Sequence, residues 1–190
     1  VTLNYLQRLL EPDRLPNEAS FYLRQHDDWL ELLAAPHVIV DTERLDAALE
    51  QADRLRAQGL LRAALEEYRA ALVPTPGAPL DEVADHEWAR LDADRSRTRL
   101  VAAHLAWSSL ELALGEPRRA IDAAQCAIGL DPYAESAHRA LVAAQLAVGD
   151  RAAARLALDR CMEMLDDLGV GPSESTEVLA RRLGPSAPRT

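Results

Sequence analysis

Two histidines and two cysteines carry the most reactive side chains in this sequence. His104, Cys126, His138 and Cys161 together offer the ligand types of a zinc site. Zinc sites take their ligands in closely spaced pairs, and no such pair occurs among these four residues. We therefore interpret both cysteines as reduced core residues and the histidines as partly buried, and we expect no metal site and no cofactor.

Covalent and phosphate chemistry also lack their usual residues. The sequence contains no Gly-x-Ser-x-Gly elbow and no phosphate-binding loop. Cys126 lies among small apolar residues, and such surroundings raise the pKa of a thiol and make it less reactive. Adjacent acids such as Asp166 and Asp167 diverge on a helix, so we expect them to be solvated. We predict that the chain is not an enzyme.

The composition predicts a helical domain with an acidic surface. Of 190 residues, 48% are hydrophobic, 27% are charged and only 4% are aromatic. Ala and Leu dominate, which favours closely packed helices over sheets. The net charge is −10, and every basic residue is Arg. This balance opposes strong non-specific binding to nucleic acid, which needs a basic surface.

The expected location is the cytoplasm. No apolar run is as long as a membrane span, and no signal peptide is visible. Two widely spaced cysteines fit a reducing compartment, and we expect no membrane partner. Because the chain begins with Val1, we interpret it as a piece of a longer protein.

Glycines at a fixed interval predict a helical repeat. Gly149 lies 34 residues after Gly115, which is the period of a tetratricopeptide repeat, a helix–turn–helix unit. Gly59 begins a similar run, with extra residues inserted before Gly115. Each glycine allows the tight turn within a helix pair. An alanine five residues later permits close approach of the two helices, and Pro132 closes a second helix.

These spacings predict a mainly α fold, a tetratricopeptide-like superhelix over residues 42–184. Stacked units must cover one another's apolar faces, and three units are about the minimum for stability. We expect a short closing helix over residues 174–183, with Ser173 as its N-cap and Val178, Leu179 and Leu183 facing inward. Residues 185–190 have turn composition and predict a loose tail.

Residues 1–41 differ from the rest in their sequence pattern, which predicts a short helix followed by strands. Leu3, Leu6 and Leu10 share one helical face, and Glu11-Pro12 ends that helix. Alternating apolar and polar residues over 21–32 predict a β-hairpin. The β-branched residues 38–40 indicate a further strand, and Asp41 suits the N-cap of the next helix.

The stretch from residue 40 to residue 183 resembles the bacterial transcriptional activator domain of the SARP and AfsR-type regulators. The residues that carry the resemblance are LDPYAESAHRAL at 130–141, GDRAAA at 149–154 and LDDLGVGPS at 165–173. They are similar to the family's "L-D-P-x-x-E-x-x-H-R-x-L" signature, its following turn and its "L-x-x-E-L-G-V-x-P-S" segment. Asp167 stands where the family usually has Glu.

Residues 1–41 resemble the end of the winged-helix DNA-binding domain that precedes this module in the family. Residues 5–12 are similar to the end of its recognition helix, and residues 21–32 to its wing hairpin. This resemblance implies DNA contacts by Asn4, Gln7, Arg8 and Arg24. Only Arg8 stands where two or three basic residues are usual, and residues 1–41 hold three Arg against seven acids. A solvated helix face is the alternative interpretation.

Large amphipathic side chains are candidates for a partner surface, and stacked helix pairs offer a groove for one. We assign Trp88 and Tyr133 to that surface, although Trp88 could instead pin the inserted segment onto the repeats. Trp107 is better explained as core. Arg95, Arg97 and Arg99 form a basic cluster that we expect to pair with acids of the same chain.

The resemblance implies a transcriptional activator that works by recruitment. Its expected partners are promoter DNA through the intact winged helix, RNA polymerase or other protein domains, and a second copy of the chain. A plain tetratricopeptide scaffold that binds a peptide and never touches DNA is the alternative, favoured by the net charge. A sensor domain of a larger ATPase-type regulator is a third interpretation.

Overall fold

The computed structural model describes residues 2–15, 18–33, 39–73 and 77–184, with Thr2 described by its backbone alone. The chain divides into two compact units, residues 1–46 and 47–190. The division falls inside a helix, a few residues after the boundary at 41 that the sequence predicts. The tail predicted at 185–190 lies outside the described residues.

The first unit contains a helix and a hairpin. Helix α1 spans Thr2–Leu10, and strands β1 (Leu23–Gln25) and β2 (Leu30–Leu32) pair antiparallel with Leu23 opposite Leu32. The hairpin prediction is therefore confirmed. The further strand is wrong for Ile39 and Val40, which belong to no strand, while Val38 lies outside the described residues.

A series of helices makes up the rest of the described chain. The bounds are α2 Asp41–Ala57, α3 Leu61–Leu72, α4 Glu87–Ala113, α5 Pro117–Leu130, α6 Glu135–Val148, α7 Arg151–Asp167 and α8 Glu174–Leu183. A short 3₁₀-helix, Asp81–Val83, lies in the insertion before α4. In the described part of the chain, no helix is both long enough and apolar enough to cross a membrane.

The three glycines of the repeat lie at the turns within helix pairs, as predicted. Gly59, Gly115 and Gly149 have φ of 77°, 81° and 89°, a left-handed conformation that costs glycine little. The turns share one hydrogen-bond pattern. At the second, the Gly115 N–H donates to the Leu112 carbonyl (3.1 Å) and the Glu116 N–H to the Glu111 carbonyl (2.8 Å). These bonds satisfy carbonyls that the helix end leaves without partners.

Small residues then let successive helices pack closely. Ala64, Ala120 and Ala154, each five residues after a turn glycine, are fully buried. Helix α4 packs on α5, α5 on α6 and α6 on α7, while α8 covers α6 and α7. One core cluster combines Leu141 and Val142 with residues of α5 and α7, and Leu179 and Leu183 of α8 pack against it.

Several predictions about single residues are wrong. Cys126 is exposed, whereas Cys161 is buried as expected. Val178 is exposed, and the inward position on α8 is taken by Thr176 instead. Asp41 is the first residue of α2 rather than the residue before it, and its carboxylate accepts the Thr42 N–H at 2.8 Å.

Candidate functional site

A polar cluster joins α6 to α8. Glu135 Oε1 accepts both the backbone N–H and the hydroxyl of Ser173, each at 2.8 Å. Arg139, one turn along α6, lies 3.6 Å from the same carboxylate and donates to Ser173 Oγ at 3.2 Å. Burial raises the pKa of Glu135, but hydrogen bonds from Thr176 and Ser173 and the charge of Arg139 outweigh it and leave that pKa lowered. Ser173 occupies the predicted N-cap position, yet its hydroxyl serves Glu135 and not the helix end.

The turn between α5 and α6 belongs to residues 130–141, the segment that also contains Glu135 and Arg139. Asp131 accepts the N–H of Tyr133 through Oδ1 at 2.9 Å, and His138 Nε2 donates to the Pro132 carbonyl at 2.8 Å. Pro132 follows the last residue of α5 by two positions, as predicted for the residue that closes a helix. The segment thereby sets the direction in which α6 leaves the second repeat.

A buried carboxylate holds α3 against α4. The Glu111 side chain is 0% exposed, and its Oε1 accepts from Arg69 Nη2 at 2.6 Å and from Trp107 Nε1 at 2.8 Å. The hydrogen bond to Glu111 and the negative charge of its carboxylate raise the pKa of Arg69. Trp107, expected in the core, is half-buried.

A second ion cluster joins α2, α3 and α4. Asp53 accepts the Tyr68 hydroxyl and lies 2.8 Å from Arg99 Nη1. Burial of Tyr68 and its hydrogen bond to Asp53 raise its pKa to about 12, so the phenol remains a donor at neutral pH. The pKa of Asp53 is lowered, because hydrogen bonds from Tyr68 and Arg99 outweigh the opposing effect of burial.

The basic cluster on α4 pairs with acids of the same chain, as predicted. Arg95 lies 3.3 Å from Asp92, and Arg97 lies 2.7 Å from Asp81 in the 3₁₀-helix. Arg99 reaches Asp53. Arg97 and Arg99 thereby link α4 to the 3₁₀-helix and to α2, whereas the Arg95–Asp92 pair lies exposed within α4.

An apolar groove opens between α4, α6 and α8. Its volume is about 550 Å³. The groove is lined by Leu105, Ser136, Arg139, Ala140, Ala143, Ser175, Val178 and Leu179. Arg139 lies at its polar side and is already paired with Glu135. The groove can accept apolar side chains of a partner. Because its lining comes from three separate segments, no local sequence pattern predicts which residues form it.

The two side chains assigned to a partner surface are both solvent-exposed. Trp88 is 70% exposed and Tyr133 is 66% exposed. The Trp88 ring is nearly parallel to that of His86, with centroids 6.3 Å apart. Because Trp88 is exposed, it does not pin the inserted segment by being buried against the repeats. Neither residue lines the groove between α4, α6 and α8.

The comparison with known families rests on the helical part of the chain. The family model of the bacterial transcriptional activator domain matches residues 40–183. The chain belongs to that family. The predicted resemblance is therefore confirmed, and with it a function of the transcriptional activator type. No curated protein matches the chain.

Solved structures place this bacterial transcriptional activator domain in the tetratricopeptide fold. The Sgt2 TPR domain from Aspergillus fumigatus is 16% identical with a TM-score of 0.53, covering 77% of this chain and 88% of that one. The C-terminal TPR-containing domain of a putative FK506-binding protein from Plasmodium falciparum is 19% identical with a TM-score of 0.51, covering 76% and 93%. At such identities the likeness establishes the fold alone. The predicted fold class is confirmed.

Within the activator domain, the signature segments thus have a structural role. Glu135 and Arg139 of the first segment meet Ser173 of the last, so the two motifs form one α6–α8 contact.

His104 and Cys126 both line a cavity between α3, α4 and α5, whereas His138 and Cys161 do not. In the described part of the activator chain, no group of three His, Cys, Asp or Glu is placed to hold a metal ion.

The four residues expected to contact DNA all lie in the first unit. Asn4 and Arg8 are exposed and one turn apart on α1. Gln7 is half-buried and accepts from Arg14 Nη2 at 3.0 Å. Arg24 on β1 lies 3.5 Å from Glu31 on β2. Two of the four thus have polar partners within the chain.

Proposed function

We propose that this activator domain works by holding a partner protein in the groove between α4, α6 and α8, with RNA polymerase as the first candidate. The observation that supports this is the apolar lining, which includes Leu105, Ala140 and Val178 on three helices. An exposed apolar surface flanked by polar residues is typical of protein-binding sites. The rigid helices around it reduce the entropy lost on binding.

Paired substitutions on exposed apolar positions test this proposal. Val178 lines the groove, whereas Leu156 is a similarly exposed apolar residue on α7 that does not. We expect Val178→Glu to weaken binding of purified RNA polymerase holoenzyme to the full-length protein by at least tenfold. Leu156→Glu should leave binding unchanged. Equal effects of the two substitutions, measured by fluorescence anisotropy, would exclude the groove as the contact.

For the first unit we propose DNA binding in the intact protein, with α1 in the major groove. Asn4 and Arg8 present an amide and a guanidinium from one exposed face, the groups that recognise adenine and guanine. Arg24 and Gln7 would contribute phosphate contacts only after leaving Glu31 and Arg14. A second copy of the chain would provide a second half-site.

A salt-titrated DNA-binding assay on the full-length protein beside this chain tests that division of roles. Binding by the full-length protein should weaken steeply with salt and should fall when Arg8 is replaced by Ala. Arg118→Ala, which removes another exposed cation, from α5, serves as the control. Full retention of binding in Arg8→Ala would contradict the assignment.

One observation favours a second candidate function, a scaffold that binds a peptide without touching DNA. The net charge is −10, and residues 1–41 hold more acids than arginines. Such a chain repels the DNA backbone over most of its surface. If the full-length protein fails to bind DNA at low salt yet retains its groove partner, the scaffold function stands and the DNA proposal falls.

A further inference from the structure

A second cavity lies on the side of α4 that faces α3 and α5. Its volume is about 620 Å³, within the range of sites that hold small molecules. Leu72, Leu100 and Leu130 supply apolar walls from three helices. The groove proposed for partner proteins shares no residue with this cavity. It therefore has the size and lining of a separate ligand site.

The polar groups of the cavity define what it can bind. His104 is 6% exposed, and its Nδ1 has no hydrogen-bond partner among the described residues. Burial lowers the pKa of His104 to about 4, so the ring is neutral at physiological pH. Nδ1 itself has almost no accessible surface, so a ligand in the cavity meets the neutral imidazole ring and not this atom.

An aromatic surface lies beside this histidine. The Trp107 and His104 rings are nearly parallel, with centroids 5.7 Å apart. Both residues line the cavity. The hydrogen bond from Trp107 Nε1 to Glu111 fixes the indole, so its face is already oriented for a flat ligand to stack on.

Charge excludes most ionic ligands from this cavity. Among the described lining residues, Asp81 carries the one charged side chain, and its carboxylate is paired with Arg97 at 2.7 Å. An anion would find no cation in the lining and would face Asp81. A cation would compete with Arg97 for the Asp81 carboxylate. Burying an unpaired charge is expensive, so a neutral ligand is favoured.

We propose that the cavity between α3, α4 and α5 binds a small, uncharged aromatic molecule, which stacks on Trp107 beside the neutral His104 ring. Such a ligand contacts the first helix pair and the second at once. Its binding stabilises the packing of one repeat on the next and links a small-molecule signal to the helical array.

Three probes of one shape and different charge test the proposal. Indole-3-ethanol is neutral, indole-3-acetate is an anion and tryptamine is a cation. We expect indole-3-ethanol to shift the Trp107 indole N–H resonance saturably, with the millimolar affinity of a fragment. The two charged probes should bind at least tenfold more weakly. No saturable shift with indole-3-ethanol, or equal affinity for all three, would overturn the proposal.

Two substitutions separate the cavity from general effects on the fold. Cys126 is exposed and lines the cavity, while its neighbour Gln125 is exposed on α5 and does not. Cys126→Trp should reduce the affinity for indole-3-ethanol at least tenfold, and Gln125→Trp should leave it unchanged. Equal affinities of the two variants would place the probe elsewhere and contradict the assignment.

None of these outcomes depends on whether the groove between α4, α6 and α8 binds RNA polymerase. The cavity proposal is therefore tested independently of the groove proposal.

Discussion

Ser173 donates both its backbone N–H and its hydroxyl to Oε1 of Glu135, each at 2.8 Å, across 38 positions of sequence. This double contact attaches the start of α8 to the first turn of α6. Because Leu179 and Leu183 of α8 cover the core formed by α6 and α7, the contact also keeps that core covered. Two of the three sequence segments that indicated the family, residues 130–141 and 165–173, therefore meet in one structural joint.

Ser173→Ala should weaken this joint. The substitution removes one donor to an ionised carboxylate and should cost about 1.5–3 kcal/mol, the usual value for hydrogen bonds to charged groups. We expect faster hydrogen exchange in α8 and a lower urea midpoint. Ser175→Ala is the matched control, since Ser175 is exposed two positions along the chain. Equal effects of the two changes would mean that the hydroxyl contributes nothing.

The same joint should make stability depend on acid. The pKa of Glu135 is lowered in the folded protein, because hydrogen bonds and Arg139 outweigh the opposing effect of burial. Its stabilising contribution is therefore complete above the unfolded value of about 4.3 and is lost as pH falls through the lower folded pKa. In urea unfolding at a series of pH values, Glu135→Gln should lose less stability than wild type in this acid range. Parallel pH curves for the two proteins would refute the assignment.

The repeat was predictable from sequence because turn geometry and residue type are directly linked. A left-handed φ is inexpensive for glycine, so Gly115 and Gly149 mark helix turns without any knowledge of the fold. The same glycine spacing also predicts that Cys126 is exposed. Residues eleven positions after each turn glycine are Ala70, Cys126 and Arg160, and all three are exposed. Because Arg160 occupies the equivalent position in the next repeat, and arginine is rarely buried, the spacing indicates that Cys126 faces solvent.

Contacts between distant segments were not predictable in this way. Glu111 looks like a surface acid within α4, and nothing local indicates that Arg69, 42 positions earlier, faces it. The groove and the cavity likewise depend on how three helices pack, which no single helical period reveals. For the same reason, the sequence predicts Ser173 as the N-cap of α8 but not the bond from its hydroxyl to Glu135.

Arg69→Ala should strongly destabilise the fold. The change leaves Glu111, whose side chain is 0% exposed, without its counter-charge. Removing one partner of a buried pair typically costs about 3–5 kcal/mol. Arg62→Ala, an exposed change on the same helix, should cost little. The combined replacement Arg69→Met with Glu111→Leu should recover much of the loss in thermal unfolding. A double variant as unstable as Arg69→Ala would contradict this account.

Two glycine-to-alanine changes should alter stability in opposite directions. Gly149 has φ of 89°, so alanine there must adopt a strained left-handed conformation, and we expect a loss of about 1 kcal/mol. Gly129 lies within helix α5, where alanine is favoured over glycine by about 0.5–1 kcal/mol. An added Cβ meets nothing within 4 Å at either position, so steric clashes do not obscure the comparison. Urea unfolding of both variants measures the two effects, and a stabilising Gly149→Ala would show that the turn tolerates a different backbone conformation.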